Sequence, residues 1–266
     1  MVKTSCGFCE TTTRKITNEH IVGEWIGPLI GAGMPGFRMR NTFKLDDTNH
    51  PPWTTLNLDQ KVRMACDSCN TGWMSDLETT VKPIITPVIR GHNGVHLNLR
   101  AQLRIATWAL KTAMVAEFLQ KSPTRYITQT ERRSLMVDGR PSHTGVHVWL
   151  GRYADKSPGV HGLVATMVHV PGVPSAHISM FAFGQLALQV LVERSPGWQQ
   201  RAFAARPGQW GRMLSQIWPP PPIIDSRVPL VWPPPLAVTP KNFRAVFDRF
   251  MEWGTERGSH RPKRPL

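Results

Sequence analysis

The feature that most constrains this chain is its cysteine arrangement. All four cysteines among its 266 residues fall into two Cys-x-x-Cys pairs, Cys6/Cys9 and Cys66/Cys69. A two-residue spacer lets one tight turn deliver two thiolates, and two such turns supply the ligands of a tetrahedral zinc site. In a reducing interior this spacing reads as metal rather than disulfide. Residues 6–9 are therefore expected to be clamped against residues 66–69. A structural Zn²⁺ would then close the base of a module spanning residues 1–90, whose two-stranded ribbon and single helix are too small to fold on their own apolar core.

The charge balance narrows the partner. The formal charge is +14 and the sequence pI about 10.4, which points to a polyanion. Nucleic acid is expected, DNA before RNA, because the long basic amphipathic helix of a membrane-surface binder is missing. No apolar run approaches the ~20 residues that span a bilayer. Met1-Val2-Lys3-Thr4-Ser5 leads into the first cysteine pair without an apolar stretch, so a cytoplasmic location without membrane contact is expected.

Between the cysteine pairs lies a Gly/Pro-rich stretch from Gly27 to Gly36, unsuited to helix or central strand. The basic run Phe37 to Lys44 follows, and its alternation suggests a strand or hairpin arm offering Arg38, Arg40 and Lys44 to phosphates. Val62 and Met64 lead strand-like into the second pair, and Thr71 to Val81 reads as a short helix stopping before Pro83. Residues 97–121 carry Leu99, Leu103, Ala106, Leu110, Ala113, Met114 and Phe118 at spacings of three and four, an amphipathic helix. Thr128-Gln129-Thr130-Glu131 is a capping box.

From residue 145 the period changes to that of strands. Segments 146–150, 163–170, 177–183 and 186–192 are separated by Gly- or Pro-bearing turns, an expected antiparallel meander packed on the 97–121 helix. Residues 91–256 thus read as an α+β unit. Its Pro-rich segment 218–240 reads as a polyproline surface strap pinned by Trp218 and Trp232. A final helix with Phe243, Val246, Phe247, Phe250 and Trp253 on one face follows, then a basic tail, 257–266, expected to be disordered.

Cys6-x-x-Cys9, Asn18-Glu19-His20 and Cys66-x-x-Cys69-Asn70 together resemble the HNH endonucleases, the ββα-metal superfamily, over roughly residues 1–85. The continuation Gly72-Trp73-Met74-Ser75-Asp76-Leu77-Glu78 is similar to a variant group of HNH-like bacterial and phage proteins. The resemblance implies a zinc-stabilised ββα-metal finger, which together with the helix plus antiparallel-sheet domain read from the periodicity makes an α+β chain. It also implies a hydrolase acting on phosphodiester bonds, with Asn70 orienting the histidine or supporting the metal.

The residues argue alongside the family. His20 can take a proton from water near neutral pH. Glu19 suits a hard cation. HNH enzymes usually add a second metal ligand from the helix, often His or Asn, but no histidine lies between His50 and His92. Asp76 and Glu78 are the substitutes, and Glu78, two turns beyond Asn70, faces the same side. Two carboxylates suit Mg²⁺ or Mn²⁺ rather than a second zinc. The expected activity is metal-dependent cleavage of nucleic acid, and a homodimer would suit cutting both strands. The competing reading is a zinc-stabilised nucleic-acid-binding protein without catalysis.

Overall fold

The computed structural model describes residues 5–31, 39–42, 53–55, 60–119, 125–154, 162–168, 176–194, 212–221 and 229–239; for 39–42, 53–55 and 162–168 it describes the backbone only. The first elements are β1 (Ile16–His20), α1 (Ile26–Ile30), β2 (Met39–Thr42), β3 (Trp53–Thr55) and β4 (Lys61–Cys66). Then come α2 (Asp67–Cys69), α3 (Ser75–Ile89), β5 (Val95–Leu97), α4 (Leu99–Ala116) and α5 (Gln129–Asp138). The remainder is β6 (Val146–Tyr153), β7 (Gly162–Val168), β8 (Ala176–Phe183), β9 (Leu186–Glu193), β10 (Leu214–Trp218), β11 (Leu230–Trp232) and β12 (Ala237–Val238). The class is α+β, as expected.

β1 and β4 form an antiparallel two-stranded ribbon with Ile16 opposite Cys66 and His20 opposite Lys61; its register shifts between Thr17 and Asn18. The second cysteine pair runs straight into helix. α2 passes through a π-helical turn, Asn70–Met74, with Gly72 at φ −92°, ψ −115°, into α3.

That helix does not stop before Pro83: it continues through Pro83 and Pro87 to Ile89. The two prolines are four residues apart, so they share a face, and neither is fully buried. The opposite stripe, Leu77, Val81, Ile85, Val88 and Ile89, is buried. Apolar burial along that stripe outweighs the ladder bonds the prolines cannot donate.

α4 differs from the amphipathic expectation. Asn98 caps it by accepting from Ala101 N at 2.9 Å, and every residue from Ile105 to Ala116 is buried. The helix packs against α3, β4 and β5 as well as α5, β6, β9 and β10, so it has no water-facing side over that length. Ala106, Ala109, Ala113 and Ala116 let these neighbours approach closely.

The large sheet has the order β10-β6-β9-β8-β7-β2-β3, with β12 parallel on β6. β7, β8 and β9 form the expected meander, closed by the two-residue turn Gly184-Gln185 with Gly184 at φ 55°. β6 departs from it: it lies beyond β9 rather than beside β7. The strand is buried along almost its whole length. It behaves as a central strand, with β9 on one edge and β10 on the other.

β2 pairs in parallel with β7, so the sheet continues from the later strands into the segment between the cysteine pairs. One apolar cluster runs from Phe8 and Ile26 through α3 and α4 to Phe183 and Trp232. Trp218 and Trp232 are pinned as the strap reading anticipates, and Trp218 Nε1 donates to Ser142 O at 2.8 Å. The segment is also woven in by strands, β11 on β5 and β12 on β6. The expected final helix and basic tail lie outside the described residues, and among those described no helix is long and apolar enough to cross a membrane.

Candidate metal centre and adjoining cleft

The four cysteines come together at the base of the ribbon. Cys6 N donates to Thr11 O at 2.9 Å and Glu10 N to Cys6 O at 3.1 Å, folding residues 6–11 into a tight turn with Glu10 at φ 63°. Gly7 N donates to Met64 O at 2.7 Å, laying this turn on β4. A Cβ at Gly7 would sit 2.8 Å from Met64 Cε and 3.1 Å from Met64 O, so the turn lies tight against β4. Cys66 sits at the N-cap of α2 with extended φ and ψ, and Cys69 follows one turn inside.

The four Sγ atoms all lie within 4.8 Å of one another, and Cys9 and Cys66 Sγ are 3.6 Å apart. Zn–S bonds of ~2.3 Å in a tetrahedron put sulfurs about 3.8 Å apart. The donor set therefore fits zinc: the cluster can hold a structural ion, and among the described residues it is the one such group. Cys66 N donates to Cys6 Sγ at 3.3 Å. Burial pushes the Cys6 thiol up, but N–H groups of Cys9, Cys66 and Phe8 outweigh it and bring the thiol down to about 7. Burial raises Cys66 and Cys69, and for Cys69 the Cys6 charge adds to the rise. Four thiolates in this space need a cation among them.

α5 braces the first turn. Arg132 Nε donates to Gly7 O at 2.8 Å, and Gln129 Nε2 donates to Phe8 O at 3.2 Å. Arg132 is buried and lies 3.8 Å from the buried Glu117 carboxylate. The capping box that places α5 was legible in the sequence; this use of Arg132 and Gln129 was not.

Beside the cluster, the end of β1 and the start of the helix enclose an open cleft of about 420 Å³, lined by Glu19, His20, Glu24, Asn70 and Glu78 among others. Four of the residues singled out from the sequence thus share one cleft. Asp76 is exposed and does not line it. Strand alternation separates Glu19 from His20: Glu19 is buried, whereas the His20 side chain keeps 22% exposure and its Nε2 lies 2.8 Å from Glu24 Oε1. Asn70 faces the ribbon, donating from Nδ2 to Thr17 Oγ1 at 3.1 Å and to Asn18 O at 3.5 Å, which ties helix to strand across the bulge.

Between Glu19 and Glu78 stands a side chain the sequence reading missed. Lys111, fully buried on α4, places Nζ 2.9 Å from Glu19 Oε1 and 2.8 Å from Glu78 Oε1. Trp25 Nε1 donates to the other Glu78 oxygen, Oε2, at 3.1 Å. Gly23 permits that arrangement, since a Cβ there would lie 2.5 Å from both Glu78 Oε2 and Trp25 Nε1. Burial works against the Lys111 charge, but Glu78 and Glu19 outweigh it and hold the ammonium above the ordinary lysine value. Glu19 is raised, by burial first, with Lys111 opposing the rise.

As placed, the two carboxylates converge on an ammonium. The clue in the sequence was isolation: Lys111 is the one charged residue between Ile105 and Ala116. Of the cations read as phosphate contacts, Arg38 and Lys44 lie outside the described residues. Arg40 is described only as backbone of β2, opposite Thr54 and Leu163. No protein-family model, curated protein or solved structure matches this chain.

Proposed function

We propose that the chain is an endonuclease of the HNH type that hydrolyses phosphodiester bonds in nucleic acid, DNA before RNA. The carrying observation is the position of His20: at the mouth of the cleft, against Glu24, where a ribbon meets a helix over a four-cysteine cluster. In this reading His20 takes the proton from water as the oxygen attacks phosphorus and the P–O bond to the leaving oxygen breaks. Glu24 orients the imidazole.

Lys61, opposite His20, and Arg63, opposite Asn18, are exposed on β4 two residues apart and so share a face. They supply phosphate contacts beside His20, and the formal charge of +14 draws the polyanion. The Glu19–Glu78 pair as it stands closes on Lys111, so the chemistry assigned here is confined to His20, Glu24 and the ribbon cations.

The second reading, a nucleic-acid-binding protein without catalysis, is favoured by that same engagement of both carboxylates by Lys111. A plasmid assay separates the two, comparing wild type with His20→Ala, with Mg²⁺ or Mn²⁺ and with EDTA. Nicking lost in the variant while its zinc content and DNA binding persist supports the endonuclease. Tight, salt-sensitive binding without cleavage of DNA or RNA supports the binding protein.

A further inference from the structure

We propose that Lys111 is the resident cation of the cleft: its ammonium fills the position between Glu19 and Glu78 that a divalent metal would take, leaving the wild-type pair closed to Mg²⁺ and Mn²⁺. Its bearing on catalysis rests on the phosphodiesterase reading above.

Three elements meet at this ammonium. Glu19 comes from β1, Glu78 from α3 and Lys111 from α4, and the contacts of 2.9 and 2.8 Å are those of charge-assisted hydrogen bonds. Magnesium draws its oxygens in to about 2.1 Å and keeps several waters. An ammonium at 2.8 Å holds its carboxylates further out and sits in a position with no exposed side-chain surface. The other Glu78 oxygen accepts from Trp25 Nε1, so each oxygen of that carboxylate already has a donor.

Among the described residues, moreover, no three His, Cys, Asp or Glu side chains outside the cysteine cluster gather closely enough to hold a metal. A lysine, unlike a metal, is delivered by the fold and needs no supply from solution. The cost is charge: a single positive charge faces two carboxylates. Removing it should expose a pair that then seeks a cation.

The test is Mn²⁺ binding, read by the paramagnetic resonance of free Mn²⁺, on zinc-loaded full-length protein. Wild type, Glu78→Gln, Lys111→Met and the double variant Lys111→Met/Glu78→Gln are compared. Wild type is expected to show no Glu78-dependent site below roughly 1 mM, the weak end of protein cation sites. Lys111→Met is expected to bind one Mn²⁺ on the order of tenfold or more tightly than wild type, and the double variant to lose that gain, as ligand charge count dictates.

A wild-type site tighter than about 100 μM that disappears in Glu78→Gln would overturn the proposal, since such sites need open carboxylates. A folded Lys111→Met protein with no gain would overturn it as well. If Lys111→Met does not fold, the wild-type and Glu78→Gln pair decides alone: equal binding supports the resident cation, and loss in Glu78→Gln refutes it. Cleavage is scored on the same samples. Its absence throughout counts against the hydrolase reading, while the Mn²⁺ result continues to decide the role of Lys111.

Discussion

Replacing Lys111 by Met keeps most of the side-chain volume and deletes one charge at a fully buried position. What remains is Glu19, itself buried, facing Glu78 across a gap with no ammonium. Removing one partner of a buried ion pair costs about 3–5 kcal/mol, because the other charge is left uncompensated. For a chain of this size each kcal/mol moves the midpoint by roughly 2–4 °C, so a fall of roughly 6–20 °C is expected.

The pH dependence gives the sharper signature. Burial already raises the Glu19 carboxyl and Lys111 opposes that rise, so without the lysine it rises further. Its folded value then lies above its unfolded value, the native state binds the proton more tightly, and stability falls as pH increases through that window. The deficit relative to wild type should therefore be smaller at about pH 5 than at about pH 8. Thermal melts of the zinc-loaded proteins at both values measure it. A deficit below about 1 kcal/mol, or one that does not change with pH, would refute the buried-charge argument.

Cys69→Ser should lose the bound metal and the ordered ribbon together, since a structural zinc contributes on the order of 10 kcal/mol to folding; elemental analysis should find one zinc per chain in wild type and none in the variant. Arg132→Met should cost about 1–3 kcal/mol, because it leaves the buried Gly7 carbonyl without its donor and removes the guanidinium 3.8 Å from Glu117, which keeps the N–H groups of Tyr126 and Ile127. Zinc release to a chelator should quicken in parallel, and an unchanged rate would separate α5 from the cluster. His177 is fully buried, and burial depresses it to about 3. Its contribution is present above the unfolded value near 6.5 and is lost as pH falls toward the folded one, at up to roughly 1.4 kcal/mol per pH unit. His177→Phe should flatten the acid limb of stability against pH; an identical limb would contradict it.

Local chemistry made much of this architecture legible. The cysteine spacing, the Thr128–Glu131 capping box and the strands from Val146 to Glu193 depend on neighbours within a few residues, and the structure has them close to where the sequence puts them. Features decided by distant partners were not legible. Pro83 is tolerated because a buried stripe lies opposite it. α4 is covered on all sides by elements from both ends of the chain, and β6 leaves the meander to become central.

The candidate site divides the same way. Glu19, His20, Asn70 and Glu78 converge, as spacing around the cysteine pairs suggested, yet Lys111 enters from 33 residues beyond Glu78. Only an isolated lysine in an apolar helix hinted at it.

The most direct test of the account is single-turnover cleavage of a labelled DNA duplex, and of RNA of the same sequence, by wild type and His20→Ala. A positioned general base contributes about 10²–10⁴-fold. The account predicts a loss of that size in the variant, with affinity for the duplex unchanged and the zinc retained. Cleavage that survives the substitution, or a wild type that binds tightly and never cuts, would contradict it.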